Sequence, residues 1–346
     1  MKKHLLTEKG NFYKANLHCH TNLSDGLQSP AEVKDFYKSL GYSVVAYTDH
    51  DVFIPHNDLT DDNFVALNGF EMEFANRYDC YANKTPWDRV KQCHVCLIAP
   101  NPSIENQPFY PKENYVFGNA VQTRKLVKFN PNDATFNFER WYDHNCINYV
   151  MQTMRDRGYF ITYNHPTWSL EDYNDYTKYK GMHALEIING SSKMLGNPEY
   201  NPNVYDDILR NGNRINVVAS DDNHRVGGTL YSDCGRAWTM IKAEKLTYDA
   251  IITALLSGDY YASEGPEISE LYVEDGVLKV KCSSAQAIKV NYEARKSQIK
   301  LIENNAPLTE AEFTLSKDHG YFRVTVVGLD GKKACTSAYY PEDLGL

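Results

Sequence analysis

The sequence predicts an α/β fold: a barrel of alternating strands and helices, followed by a small β-sandwich. Over the first 265 residues, short β-branched or aromatic runs alternate with helical stretches, which is the pattern of a parallel sheet. After Gly265-Pro266 the helical periodicity stops and short strands separated by turn residues follow one another, which is the pattern of a sandwich. A third observation bears on function: His, Asp and Glu recur at the ends of the predicted strands.

Strands are expected at 13–20, 43–48, 64–70, 93–99, 159–164, 184–188 and 215–220. The first helix is the best marked: Ser29 is the N-cap, Pro30 the first helical position, Glu32 closes a capping box and Gly41 ends the run. Further helices are expected at 139–157, 203–211 and 246–257, the last before Gly258. Seven or eight strand–helix units suggest a closed barrel. Two stretches, 75–92 and 101–137, break this rhythm. Both are rich in Asn, Pro and Tyr and too long for ordinary connections, so they are expected to wall a binding site. Beyond them, strands are expected at 268–273, 277–282, 287–292, 299–302, 312–315, 321–327 and 334–339, with Glu274-Asp275-Gly276 and Leu329-Asp330-Gly331 as turns. The expected domains are 1–265 and 266–346.

Composition narrows the class. The chain has 346 residues, 42% apolar and 23% charged, with a net charge of −9. That balance argues against a protein living on bare nucleic-acid backbone, which needs neutralising cations. The segment 266–346 has 12 acidic and 10 basic side chains, so it offers no basic stripe either. No run approaches the roughly 20 apolar residues of a membrane helix. The opening MKKHLLTEKG lacks the apolar core of a secretory signal. With eight Cys in a chain of this size, a reducing, cytoplasmic setting is expected.

Six of the eleven His fall in an ordered series with acidic residues. His18-Cys19-His20 ends the first strand, and alternation puts both His on one face. Asp25 follows in Ser24-Asp25-Gly26, then Thr48-Asp49-His50-Asp51, Gly69-Phe70-Glu71, His94, Asn164-His165-Pro166 and Ser220-Asp221-Asp222-Asn223-His224. In a parallel barrel the carboxyl ends of the strands meet on one rim. Each element alone has a bland account, an incidental pair or a turn histidine. Together they converge, and so polar a buried cluster is costly unless cations compensate it. Mixed imidazole and carboxylate donors suit Zn, Mn or Fe. Asp221 stays open as an alternative to Asp222, although the Asp-x-His spacing favours Asp222.

These motifs, spread over residues 12–225, resemble the PHP family of metal-dependent phosphoesterases, named for polymerase and histidinol phosphatase. The resemblance implies a distorted, TIM-like barrel of seven β/α units with a trinuclear metal site. It implies that His18, His20, Glu71 and Asp222 hold one ion. Glu71 would bridge to a second ion held also by His94 and His165, and Asp25, His50 and His224 would hold the third. The stretch YYASEGPEI at 260–268 resembles the lead into a C-terminal β-sandwich in some bacterial members. Asn16 stands where many members have Asp, and Asp25 where histidinol-phosphatase-like branches carry His. That departure favours the branch resembling nucleotide and oligonucleotide phosphoesterases.

The expected activity is therefore hydrolysis of a phosphate ester by water activated at two to three divalent transition-metal ions. Glu71 and Asp222 are the expected catalytic carboxylates, with Asp49 and Asp51 orienting His50. Arg225, directly after His224, is a candidate phosphate contact. His56, after the Asp49–Asp51 loop, is a second candidate substrate contact. The expected substrate is small, a nucleotide or another phosphorylated molecule held by the aromatic loops, rather than a long nucleic acid. Three rivals stand beside it: 5′-to-3′ shortening of oligonucleotides, an amide or lactone hydrolase on a similar barrel, and a non-catalytic metal-stabilised scaffold. Cys93 and Cys96 form a C-x-x-C without the second pair that a structural zinc would want, and they are read as packing residues.

Overall fold

A computed structural model describes residues 2–75, 84–225 and 232–346. Part of the expected loop at 75–92 thus lies outside the described residues. The strands are β1 (Lys2–His4), β2 (Asn11–Asn16), β3 (Val44–Tyr47), β4 (Val65–Ala75), β5 (Gln92–Ile98), β6 (Phe160–Asn164), β7 (Ala184–Asn189), β8 (Asn216–Ser220), β9 (Trp238–Ala243), β10 (Tyr260–Ser263), β11 (Ile268–Glu274), β12 (Val277–Tyr292), β13 (Ser297–Leu301), β14 (Leu308–Thr314), β15 (Phe322–Gly328) and β16 (Lys333–Thr336). They form one mixed sheet in the order β1-β11-β12-β15-β16-β10-β9-β2-β3-β4-β5-β6-β7-β8, with β13 and β14 also paired to β12.

The fold is α/β, but it departs from the expected barrel in two ways. First, the pairing is not parallel throughout. β2-β3-β4 and β6-β7-β8 run parallel, whereas β5 is antiparallel to both β4 and β6. β4 runs five residues past its expected end, so Glu71 lies inside the strand, paired with Cys96. This long hairpin-like pairing explains why His94 reaches the site from near the start of its strand: an antiparallel strand begins on the rim where its neighbours end.

Second, the hydrogen-bonded path is open, because β8 does not pair with β2 or β9. The seam is stitched by other means. Thr239 Oγ1 of β9 accepts from Ala219 N at 3.1 Å and donates to Ala219 O at 2.9 Å. Just beyond the strand ends, Asp222 N donates to His18 O and His20 N to Asn223 O. The two loops that carry site residues therefore bridge the open seam without making the sheet continuous.

Helices cover this sheet at Pro30–Ser39, His144–Asp156, Pro202–Arg210 and Tyr248–Ser257. The first has the predicted Ser29–Glu32 capping box. The second starts five residues later than expected, because Asp143 accepts from Asn145 N and Cys146 N and so sets the cap. Among the described residues, no helix is long and apolar enough to cross a membrane.

Residues beyond 265 form antiparallel strands, as expected, but not two separately bonded sheets. The expected strands 277–282 and 287–292 are one strand, β12. Its first part pairs β11 and β14 and its second part β13 and β15, with irregular register at 281–287. β1 also joins this region, pairing antiparallel with β11. A separate apolar cluster including Leu271, Val280, Val290, Phe313 and Val326 fills it.

One buried acid stands out in the main core. Glu171 receives hydrogen bonds from Tyr142 (2.9 Å), Tyr163 (2.5 Å) and Tyr179. Burial pushes its carboxyl up to about 8, against the pull of the three phenols. Its contribution to stability is therefore present below the usual carboxylate value and lost as pH rises toward 8. Glu171→Gln should flatten that fall, which urea midpoints at about pH 5 and about pH 8.5 would show. Thr239→Val should lower stability by about 1–2 kcal/mol, since both seam bonds go and Ala219 keeps its buried backbone groups. An unchanged unfolding midpoint would mean that the loop bonds alone hold the seam.

Candidate metal centre

The nine residues singled out in the sequence come together around one carboxylate. Glu71 is fully buried. Its Oε1 lies 3.1 Å from His18 Nε2, 3.1 Å from His94 Nδ1 and 3.2 Å from His165 Nε2. Its Oε2 lies 3.0 Å from His50 Nδ1 and 3.4 Å from His20 Nε2. Asp222 Oδ1 is 3.0 Å from His20 Nε2 and 3.2 Å from His18 Nε2. Asp25 faces His20, His50 and His224 at 3.6, 3.7 and 3.4 Å. His20, Asp25, His50 and His224 form one group of mutually close donors, and His18, His20 and Asp222 another.

This arrangement suits metal ions better than hydrogen bonds. His50 Nδ1, Glu71 Oε2 and Asp222 Oδ1 are buried and have no hydrogen-bond partner, although each has a polar neighbour within about 3 Å. His50 and Glu71 fall in one close donor group with His94, and Asp222 in another with His18 and His20, the crowding without hydrogen bonds that ligands to cations show. Charge leads to the same place. Burial alone would raise the Glu71 carboxyl, but the imidazoles of His18, His94 and His50 outweigh it and hold it well below the usual range. Asp222 is likewise held down against burial, chiefly by His18. Burial drives the His50 imidazole down to about 3, while His224 is pushed up to about 9 because the Asp25 carboxylate outweighs burial there. Ionised, buried carboxylates need nearby positive charge, and divalent ions supply it in little space.

The backbone around the site is shaped for this purpose. Asp51, His165 and Asp222 have φ of 58°, 28° and 54°, a conformation that costs energy in residues other than glycine and collects at functional sites. At Asp222 it turns two neighbouring carboxylates apart. Asp222 faces the histidines. Asp221 accepts from the backbone N–H of Gly235, Arg236 and Ala237 at 2.7–2.9 Å and from Tyr37 OH at 2.9 Å. Asp222, not Asp221, therefore belongs with the site. Gly26 is a second constraint: a Cβ there would lie 2.7 Å from His20 O.

Several supporting residues differ from the sequence expectation. Asp49 and Asp51, expected to orient His50, also engage other groups. Asp49 accepts from Thr21 N, Thr21 Oγ1 and Ser24 Oγ at 2.7–2.8 Å, fixing the turn before Asp25. Asp51 pairs with Arg140 at 2.5 Å, and its N–H holds Glu71 O. His56 is not among the residues lining the cavity above the cluster; its ring packs edge-on against Tyr47. Arg225 is exposed, with its N–H held by Asp233, and it too is absent from that lining.

Glu186 was missed. Its Oε1 lies 3.1 Å from His18 Nδ1 and its Oε2 accepts from His165 N at 3.2 Å and from Asn189 Nδ2 at 2.9 Å. A carboxylate on the far nitrogen of a ligating imidazole fixes its tautomer and aim. Gln92 Oε1 does the same at His94 Nε2, and Ser169 Oγ at His165 Nδ1. Cys93 is a core residue, as expected. Cys96 is not merely packing: it forms a close group with His18 and Glu71 and accepts from Asn164 Nδ2 at 3.0 Å.

Above the cluster is a cavity of about 510 Å³. Trp87, Tyr115, Phe117 and Trp168 line it with the ligand residues. The two long loops thus reach the site, as their length and composition predicted. Gly118, with φ of 56°, sits 3.0 Å from Ser24 O by its would-be Cβ. Beside it, Asn119 N donates to Ser24 O at 2.7 Å and Thr123 Oγ1 to Leu23 O at 2.6 Å. The loop is thereby pinned to the turn that carries Asp25, which brings Phe117 against His50.

No protein-family model and no curated protein matches the chain. Among solved structures, a two-domain Bacteroides vulgatus protein containing a predicted PHP-like metal-dependent phosphoesterase is 14% identical, covering 97% of this chain and 98% of that one, with a TM-score of 0.46. A Bifidobacterium adolescentis protein, provisionally described as a metal-dependent phosphoesterase, is 14% identical over 66% of this chain and 93% of its own, TM-score 0.38. A Chromobacterium violaceum amidohydrolase with bound sulfate is 14% identical over 62% and 88%, TM-score 0.33. The chain is similar to PHP-like metal-dependent phosphoesterases, the family its motifs resemble.

The two neighbouring aspartates should separate experimentally. Asp221→Ala strands several buried donors and should cost about 3 kcal/mol or more in chelated protein. Asp222→Ala should lose bound metal with a smaller loss of chelated-state stability. Metal analysis and thermal unfolding in chelator measure both effects, and equal metal loss in the two variants would contradict the division of roles.

Proposed function

We propose that the chain hydrolyses a small phosphate ester, with two to three divalent ions of Zn, Mn or Fe held by His18, His20, Asp25, His50, Glu71, His94, His165, Asp222 and His224. The observation that carries this reading is Glu71: one buried carboxylate whose two oxygens meet five imidazoles, beside orphaned ligand atoms of His50 and Asp222. When bound, such ions stabilise charge on phosphoryl oxygens and make water a nucleophile near neutral pH.

The chain's own residues supply the rest. Glu71 sets the spacing between the groups around His94 and His165 on one side and His50 on the other. Glu186 holds His18 with its Nε2 toward Glu71 and Asp222. Among the described residues lining the cavity there is no Lys or Arg, so attraction for an anionic ester falls to the ions. The cavity, within the usual 300–1,000 Å³ of small-molecule sites, is large enough for a small ester. None of the nine proposed ligands lies beyond residue 224, so the strands from 266 onward contribute none.

Metal analysis together with hydrolysis of nitrophenyl phosphate, as monoester and diester, tests the reading. Two to three ions per chain and turnover of at least one ester are expected. Glu71→Ala should lose at least one ion and about a hundredfold or more in activity, since the ions supply most of the charge stabilisation. A fully loaded protein inert toward every phosphate ester would overturn the hydrolase reading, and full activity in the variant would overturn the role of Glu71.

A further inference from the structure

We propose that Cys96 is a tenth ligand, giving a thiolate to the ion that His18 and Glu71 hold at the floor of the site; this rests on the metal-centre reading above. Donor atoms of Cys96, His18 and Glu71 all lie within 4.8 Å of one another, and the three residues are fully buried. Glu71 brings to this group a buried oxygen, Oε2, with no hydrogen-bond partner. The strands set the meeting. Cys96 is directly opposite Glu71 in the antiparallel pair of β4 and β5. It follows His94 by two residues, so alternation turns both side chains to the same face. Neither His18 nor Cys96 is among the residues lining the cavity. The sulfur therefore stands behind the ligands that face the cavity, on the side closed to solvent.

A thiol that only packs has apolar neighbours. Cys93 has them in the main core, whereas Cys96 belongs to none of the apolar clusters among the described residues. Its sulfur instead accepts from Asn164 Nδ2 at 3.0 Å, and the same amide donates to Glu71 Oε1 at 3.1 Å. Thr162 Oγ1 donates to Asn164 Oδ1 at 2.7 Å, which fixes the end of the amide that faces the site. One amide thus offers its two N–H bonds to two candidate ligand atoms, and hydrogen bonds of this kind orient and tune ligating groups. The thiol proton passes to water when the metal–sulfur bond forms. A soft thiolate beside imidazoles favours Zn or Fe, whereas oxygen ligands suit Mn. Cys96 therefore narrows the choice of metal at the floor of the site to Zn or Fe.

Cobalt(II) loaded into the full chain reports sulfur ligation directly, because a cobalt–thiolate bond gives an intense near-ultraviolet charge-transfer band that imidazole and carboxylate ligands do not. The loaded protein should show this band. Cys96→Ser and Cys96→Ala should each lose it while keeping the visible bands of cobalt held by the other ligands. In competition dialysis of Zn against Mn, the preference for Zn should fall about tenfold or more in Cys96→Ser, the low end of what losing even a supporting group at a metal site costs. Bound cobalt without the near-ultraviolet band would overturn the proposal and leave the nine-ligand centre standing. A band that survives both substitutions would overturn the assignment to Cys96, and an unchanged Zn preference would overturn its part in selecting the ion. The spectrum of the unaltered protein decides on sulfur ligation even if a variant does not fold. A protein that binds no cobalt, zinc or manganese would instead sink the parent reading, and this one with it.

Discussion

Glu71 is buried without a fixed cationic partner, surrounded instead by imidazoles that can be neutral or charged. A carboxylate in that position would cost several kcal/mol if left uncompensated. Much of the nearby fold serves to keep it there. β4 extends past its parallel neighbour β3 so that Glu71 reaches the middle of the site, and β5 folds back against it to deliver His94 beside it. Asn164 Nδ2 donates to Glu71 Oε1 at 3.1 Å from β6, on the other side of β5. The N–H of Glu71 bonds Thr48 O, and its carbonyl receives Asp51 N, so the His50 turn is tied to the same residue.

From this carboxylate the support spreads outward in layers of decreasing charge. Next come Glu186, Gln92 and Ser169, each bonded to the far nitrogen of a site imidazole. Behind them, Asp49 and Asp221 hold neighbouring loops through backbone N–H and hydroxyl donors. One shapes the turn leading to Asp25, the other gathers the N–H groups of 235–237 behind the seam. The outermost layer is aromatic: Trp87, Tyr115, Phe117 and Trp168 line the cavity over the cluster.

The sequence made legible what depends on local pattern. The end of a strand is marked by where β-branched residues give way to polar ones, so His18, His20, His50, His165, Asp222 and His224 could be placed on one rim without the structure. The two long loops could be assigned to that rim because their length and aromatic content fit no ordinary connection. Pairing direction was not legible, because β4 and β5 alternate in the same way whether parallel or antiparallel. Glu186 was hidden for a related reason. It sits within the apolar run Ala184–Asn189, 168 residues from His18, and nothing local separates it from an ordinary strand residue. β9 and β10 were missed as strands; they stand on either side of Tyr248–Ser257, whose helical signal dominates the region.

The adjacent Asp221 and Asp222 show why residue type alone could not finish the assignment. In an extended strand, neighbours point to opposite faces, and Asp221 accordingly turns away from the histidines. Past the strand end the backbone must also bring Asp222 and His224 to two different parts of the cluster while keeping the hydrogen bonds to His18 O and from His20 N. A positive φ at Asp222 meets both demands in one step. Asp tolerates that conformation better than a β-branched residue does, and its carboxylate is what the site uses. The backbone requirement and the chemical requirement thus select the same residue, and the second aspartate stays as the anchor that keeps the turn in place.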